Sequence, residues 1–568
     1  MNRRGFIKLF GSAAASSWIC RQTLASPPLS AETYSLPDVW GSGQLLAYSG
    51  IDGPTDYFHG VVGRTVGDPA AISIMLPAAV MIRLGAGRVR RAQLTGDTFE
   101  VVTDGGETRG AFLDAHHVLL EGAYQCESLP TDFQALREDS RLLLGVRSRF
   151  DPSLLRAELT TAIDARRRWL KEQRAPSGIG SGRRRTLAKA LTVMKGQACT
   201  AEGLIRRRWT TPDRWPHRVL ALWDSVFHAI GWRHLDAAFA RDMIEAVFDG
   251  QQPDGRIPHL LSPNTTSPIT QPPILAFGLQ QFTGSAPDQA WLEAIYPKLG
   301  RYLAWDFAHR NVNAGGLAQW LIDPSDPNNR CAESGLDNSP RFDAGLRLEA
   351  VDFNVFLSLE CSAMADFARQ LGRVDEAQAW AECHQRFNRL INERLWNDEK
   401  GFFFDYNQAT QRQSEVVAVT GFLPLLCGAA SGAQVERLAA WLSDPAAFAT
   451  AVPLPTAIPA PGKPVEKDMW RGPMWVNTNW LVALGFEKCG RKDLANRLRE
   501  STMQEIERRY LQFGSLFEFY DQDGVLAPDR LPRKGRLDSH DSHHQVVHDY
   551  GWTATLYADM VFSAQKAG

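Results

Sequence analysis

The chain has 568 residues, 44% of them hydrophobic, which is enough for a sizeable core or several. With 62 basic against 64 acidic residues its net charge is −2, which leaves no electrostatic reason to expect nucleic acid or an anionic membrane surface as a partner. Seventeen tryptophans fit two uses, filling space between helices and covering the C–H face of a sugar ring.

Asn2-Arg3-Arg4-Gly5-Phe6-Ile7-Lys8 reads as a twin-arginine export signal. A stretch of small and apolar residues follows from Leu9 to Cys20, and Thr23-Leu24-Ala25 offers a cleavage site, so residues 1–25 are expected to be a signal peptide. The apolar run is too short to cross a bilayer comfortably. The expected destination is the periplasm or the exterior, with no membrane association beyond export. Eight cysteines lie scattered with no Cys-x-x-Cys pair, which excludes a zinc ribbon and a dense disulfide framework but leaves room for one or two bridges.

Residues 35–150 are predicted to form an antiparallel β-sandwich. Leu142, Leu144, Val146, Ser148 and Phe150 alternate with Leu143, Gly145, Arg147 and Arg149, the period of a strand. Val- and Thr-rich Phe99 to Thr103 meets the tight-turn signal Asp104-Gly105-Gly106. No catalytic constellation is visible there. Residues 151–195 are expected to be a linking helical region, with Leu155, Leu159, Ile163 and Leu170 near one face of a helix over 152–174. The triplets Arg166 to Arg168 and Arg183 to Arg185 read as a solvated face and a loop end rather than an anion site.

Beyond about residue 196 helical periodicity takes over, to 565. Leu235, Phe239, Met243 and Val247 form one stripe. Phe353, Leu357, Met364, Phe367 and Leu371 form another, ended by Gly372 at a natural helix stop, and Trp380, Phe387, Ile391 and Leu395 continue in the next helix. Long Pro- and Asn-rich segments separate the helices at 251–273, 311–342, 452–479 and 521–545. Connections of that length are usually functional or disordered.

Chemistry concentrates in these loops. Glu333-Ser334-Gly335-Leu336-Asp337-Asn338-Ser339-Pro340-Arg341 offers two carboxylates and an arginine among turn formers. Cleaving a glycosidic bond takes one acid to protonate the leaving oxygen and a second carboxylate as base or nucleophile. Glu518 is a candidate partner, set in Phe513-Gly514-Ser515-Leu516-Phe517-Glu518-Phe519-Tyr520-Asp521 among aromatic rings. Leu222-Trp223-Asp224-Ser225, Gln251-Gln252-Pro253-Asp254-Gly255-Arg256-Ile257-Pro258 and Asp468-Met469-Trp470-Arg471-Gly472-Pro473-Met474-Trp475-Val476-Asn477 add rings beside polar groups, as a sugar pocket requires. His540, His543, His544 and His548 cluster near the C-terminus, and Asp323, Asp326 and Asn328 share a turn. The histidines lack a third ligand and read as a polar loop, while the Asp323 group could hold calcium or make an ordinary turn with Pro324 and Pro327; the expectation is no metal and no cofactor.

The set WDS, QQPDGRIPH, ESGLDNSPR, DMWRGPMWVN, FEFYD and GWTA, in that order over roughly residues 200–565, resembles glycoside hydrolase family 63 and its mannosylglycerate-hydrolase-like relatives. It is more distantly similar to trehalases, but Leu336 stands where those carry Trp, and WRGPMWVN replaces their QWDYPNGW, so trehalase activity is not implied. The resemblance implies an (α/α)6 barrel behind the β-sandwich and an oligosaccharide or small α-glycoside as substrate. It further implies hydrolysis with inversion, with Asp337 as general acid and Glu518 as general base. Trp223, Asp224, Arg341, Trp470, Arg471, Trp475 and Asn477, together with Tyr520 and Trp552, fall on motif positions that would line the subsite. Rival expectations are a polysaccharide lyase or sugar isomerase on a similar helical toroid, or a carbohydrate-binding protein without turnover. Oligomeric state is open.

Overall fold

A computed structural model describes residues 34–283, 288–310, 316–343, 347–460, 462–535 and 544–564. The export signal, His540 and His543 lie outside the described residues. No helix among them is long and apolar enough to cross a membrane.

Eleven strands form two antiparallel sheets in the N-terminal region. One has the order β1 (Leu45–Ala47), β2 (Val62–Val66), β3 (Ala71–Leu76), β4 (Val80–Leu84) and then β9 (Tyr124–Cys126). The other runs β10 (Phe133–Glu138), β11 (Arg141–Val146), β8 (His117–Gly122), β7 (Gly106–Phe112), β6 (Thr98–Thr103) and β5 (Val89–Leu94). Ile72, Ile74, Ile82, Phe99, Val101, Leu142 and Leu144 share one core between the sheets. The Asp104-Gly105-Gly106 signal closes the β6–β7 hairpin, with Thr103 opposite Gly106.

The alternation along β11 leaves no polar face. Leu143, with Ala111 and Leu119, packs under Leu155, Leu159 and Ile163 of the next segment, so this sheet is covered on both sides. That segment begins as a 3₁₀ turn (Pro152–Arg156) and continues as α1 (Leu159–Glu172).

The region expected to link the two parts is helical and packed. Every residue of α2 (Ser181–Gly196) from Thr186 onward is buried, because α2 lies against the last helix of the chain. The arginine triplets are also corrected: Arg167 reaches Glu100 at 2.7 Å, Arg166 faces Asp52 at 3.4 Å, and Arg183 holds Glu500 and Glu507 at 2.8 Å each. Lys195, at the end of α2, binds Asp97 and Asp52 of the sheet region at 2.6 and 2.7 Å.

The remaining helices are α3 (Leu222–Trp232), α4 (Ala237–Asp249), α5 (Leu275–Thr283), α6 (Gln289–Arg310), α7 (Val351–Gln370), α8 (Val374–Leu395), α9 (Pro424–Cys427), α10 (Gly432–Ser443), α11 (Val476–Lys488), α12 (Lys492–Phe513) and α13 (Gly551–Ala564). The stripes expected from sequence are core-facing: Phe239, Met243 and Val247 on α4, Phe353, Leu357, Met364 and Phe367 on α7, Trp380, Phe387, Ile391 and Leu395 on α8. Helix α3 packs on α5, α5 on α7, α7 on α9, α9 on α11, α11 on α13, and α13 returns to α3. Helices α4, α8 and α12 lie against α3, α7 and α11, while α2 lies against α13. The long loops between these helices carry the motifs described next.

Candidate active site

The 333–341 loop is fixed from beneath by Glu333. Its carboxylate accepts two Arg310 nitrogens, Nε at 2.9 Å and Nη2 at 2.7 Å, and the Leu321 amide at 3.1 Å. Gly335 sits at φ +70°, and a β-carbon there would come within 2.4 Å of the Trp223 ring. Only glycine allows both that backbone and that approach. Asn338 then ties the loop to the tryptophan segment, accepting the Trp470 amide at 3.1 Å and donating to the Asp468 carbonyl at 3.3 Å. Asp337, between these anchors, remains partly exposed and pairs with Lys534 Nζ at 3.0 Å.

Glu518 is buried on an extended segment that pairs with residues 547–550. Its amide donates to the Val547 carbonyl at 2.9 Å, and the Val547 amide donates to Oε2 at 3.2 Å. Arg533 grips both carboxylate oxygens, Nε to Oε2 at 2.9 Å and Nη2 to Oε1 at 3.1 Å. Burial alone would lower the Arg533 pKa; the attraction of Glu518, with a smaller one from Asp337, outweighs it and raises the value. Arg533 Nη2 also approaches His217 Nε2 at 3.4 Å, and His217 Nδ1 lies 2.7 Å from buried Asp213. Successive residues, Arg533 and Lys534, thus hold the two carboxylates singled out from sequence.

Aromatic rings pack against the segments that carry this pair, at Gly335 and Phe519. Trp470 stacks on Trp475 at 3.7 Å between centroids, Trp475 on Phe519 at 5.0 Å, and Trp552 stands edge-on to Trp223 at 5.3 Å and to Trp475 at 5.5 Å. The buried Nε1 atoms of Trp470 and Trp552 and both side-chain polar atoms of Asn477 have no hydrogen-bond partner within the protein. A buried donor without a partner costs about 1–3 kcal/mol, so these atoms are candidates to meet a polar ligand. Burial raises Asp224 from an ordinary 3.8 to about 8, only partly opposed by hydrogen bonds, including one from the Tyr550 hydroxyl at 3.4 Å. At neutral pH it is a neutral acid, able to donate. Burial likewise lowers His259 to about 4, although Asp337 pulls the other way.

Three expected pocket residues are engaged within the protein. Arg341 is buried and spends its guanidinium on Asp352 and Asp405 at 2.7–2.9 Å, so it has no fork left for a substrate. Arg471 clamps Asp343 and Glu466 and donates to the Asn338 carbonyl at 3.1 Å, which steadies the backbone next to Asp337. The Tyr520 hydroxyl accepts the Phe517 amide at 3.1 Å inside the core. Conversely, Arg533, Lys534, His217, His259 and Tyr550 were not picked out by sequence reasoning. The Arg533-Lys534 pair lies in a long loop with no pattern to mark it.

Of the metal candidates, Asp323 accepts the Ser325 amide and hydroxyl, and Asp326 accepts the Asn328 amide, so both close ordinary turns. Among the described residues no group of three or more His, Cys, Asp or Glu is arranged to hold a metal ion. The seven described cysteines are all free thiols.

A family model described as the mannosylglycerate hydrolase MGH1-like glycoside hydrolase domain matches residues 217–553. Mannosylglycerate hydrolase of Thermus thermophilus is 26% identical over 399 residues, covering 56% of this chain and 92% of that protein. A crystal structure of a glycoside hydrolase family 63 mannosylglycerate hydrolase from Thermus thermophilus, in complex with glucose, superposes with a TM-score of 0.54 at 24% identity. It spans 66% of this chain and 99% of that one. A bacterial glucoamylase complexed with acarbose shares the fold more widely, at a TM-score of 0.59 over 95% of both chains, with 9% identity.

Proposed function

The chain belongs to the mannosylglycerate hydrolase MGH1-like glycoside hydrolases of family 63, and on that premise we propose that it is an exported, inverting α-glycosidase acting on a small glycoside. Asp337 is the general acid and Glu518 the general base. The scaffold is an (α/α)6 barrel behind a β-sandwich, a reading supported by the helix pairs that run from α3 to α13 and back to α3. Export rests on the N-terminal sequence and places the mature enzyme in the periplasm or outside the cell.

The observation that carries the chemistry is the tethering of Glu518 and Asp337 to consecutive residues of one loop. In the proposed reaction protonated Asp337 donates to the leaving oxygen as the bond to the anomeric carbon breaks. Glu518 takes a proton from a water that attacks the opposite face, and the new hydroxyl has inverted configuration. That geometry needs about 6.5–9.5 Å between the carboxyl groups. Trp223, Trp470, Trp475 and Trp552 wall the sugar, while Asp224, Asn477 and the two unpartnered indole N–H groups take its hydroxyls.

Charge favours an acidic leaving group. With Asp337 and Glu518 ionised, Arg533 and Lys534 balance them. When Asp337 takes up its working proton, Lys534 is left over, and a substrate carboxylate restores neutrality. Glucosyl- and mannosylglycerate are such substrates, and mannosylglycerate is what the Thermus relative is named for. A screen of these two with neutral α-disaccharides, on parent and Asp337→Asn protein, tests the assignment. Release of sugar by the parent and a loss of about 10²–10⁴-fold in the variant supports it; near-normal turnover by Asp337→Asn overturns it.

A further inference from the structure

We propose that Asp549 is a positioning residue for Glu518, and that the N-terminal sheet region takes part in catalysis through it. The inference rests on Glu518 being the base. Asp549 is buried and lies in the left-handed region at φ +53°, a conformation a non-glycine residue holds only when its surroundings enforce it.

The enforcement comes from three distant parts of the chain. Oδ2 accepts the Leu45 amide of β1 at 2.8 Å and Lys189 Nζ of α2 at 2.7 Å. Oδ1 accepts the Ser515 hydroxyl at 3.0 Å and the Leu516 amide at 3.2 Å. The Asp549 amide returns a bond to Ser515 Oγ at 3.1 Å, and its carbonyl takes Gln197 Nε2 at 2.6 Å. One carboxylate therefore joins the sheet region, α2 and the segment that leads into Glu518.

Register carries the effect to the base. Residues 515–518 and 547–550 run antiparallel, with the Tyr550 amide on the Leu516 carbonyl at 3.0 Å and Phe517 opposite His548. Asp549 fixes how these two segments slide past each other. Val547, two residues away, holds Glu518 at both backbone and carboxylate. The sheet region also presses on this strip directly: Gly43 approaches the His548 ring so closely that a β-carbon would meet Nδ1 at 2.4 Å, and Arg64 Nη1 donates to the His548 carbonyl at 3.0 Å. Freeing Asp549 lets the strip shift, and a base displaced by about 1 Å from its water costs on the order of 10²-fold in rate.

The test uses the full mature protein and α-D-glucopyranosyl and α-D-mannopyranosyl fluoride. Fluoride leaves without a proton from Asp337, so turnover reports the base: water oxygen bonds to C1, its proton passes to Glu518, and the C1–F bond breaks. Asp549→Asn is expected to lower kcat about 10- to 10²-fold with KM within about twofold. In a Glu518→Gln background the same substitution should change the residual rate by no more than about twofold, because the group it serves is gone. An unchanged kcat, or an equal loss in both backgrounds, overturns the proposal. Should Asp549→Asn not accumulate as folded protein, Ser515→Ala removes one of the four donors and is expected to lose kcat several-fold. Amide hydrogen exchange reads the same coupling without turnover: residues 514–520 and 545–550 should exchange faster in Asp549→Asn, and unaltered exchange counts against it. Full activity in Glu518→Gln sinks the base assignment and the inference with it; loss there with none in Asp549→Asn sinks the positioning role alone.

Discussion

Arg533 holds both oxygens of Glu518, at 2.9 and 3.1 Å, in a pair shut away from solvent. Asp337, by contrast, is partly exposed and meets the more open Lys534. The two carboxylates therefore differ in what their removal does to the fold. Glu518→Gln removes the buried charge that Arg533 pairs with, which costs about 3–5 kcal/mol, while Asp337→Asn leaves a lysine that can turn to water. Both variants should lose about 10²–10⁴-fold in rate, but only Glu518→Gln should show a large drop in denaturant midpoint. Equal stabilities would contradict the buried pairing.

Asp224 makes stability depend on pH with an unusual sign for a carboxylate. Burial holds its folded value up to about 8, so the folded state keeps a proton that the unfolded chain gives up near 4. Its contribution is complete below about pH 4 and is lost progressively as pH rises through 8. Glu360, raised to about 8 by burial, acts in the same direction from the start of α5, where it accepts the Ala276 and Phe277 amides. Asp224→Asn should flatten part of the fall in melting temperature between about pH 5 and pH 8, leaving the share of Glu360 and of other acids raised by burial, such as Asp306 and Asp52. A decline as steep as in the parent would refute a protonated Asp224.

Lys534 offers a test of substrate charge. Lys534→Met should raise KM for glucosyl- or mannosylglycerate by about 10-fold or more while changing KM for a neutral 4-nitrophenyl α-glycoside by less than about threefold, as expected when one charge-assisted contact is removed. Equal effects on both would place the leaving group elsewhere.

Gly335 is a steric constraint in the 333–341 loop. Gly335→Ala forces a side chain into a left-handed backbone and against Trp223. The expected result is a loss of about 10²-fold in kcat/KM with about 1–3 kcal/mol of destabilisation. An alanine variant of parent activity would mean that the loop and Trp223 are not in register.

What the sequence revealed follows the reach of each interaction. Stripes such as Phe353 to Leu371 announce α7, because helix burial repeats over a few residues. Asp337 and Glu518 stand out as candidates from motif content and resemblance. The role of Arg341 was not, since its neighbours Asp352 and Asp405 are brought to it by folding. Arg533 stayed hidden for the same reason. Helix α2 reads as part of a linker in sequence because the face that buries it belongs to α13, at the other end of the chain. Leu143 illustrates the converse: alternation over 142–150 finds the β11 strand but overruns it, since the chain turns into a 3₁₀ segment at Arg147–Arg149, and only packing against α1 shows why the second face of β11 is apolar too.

The central claim is that two carboxylates act from opposite sides of one anomeric carbon. Proton NMR of the sugar released in the first minutes from an α-glycoside, before mutarotation, tests it most directly. The β-anomer should appear first, and substitution of Asp337 or Glu518 should abolish that signal. First appearance of the α-anomer would mean a retaining reaction and would contradict the roles given to Asp337 and Glu518.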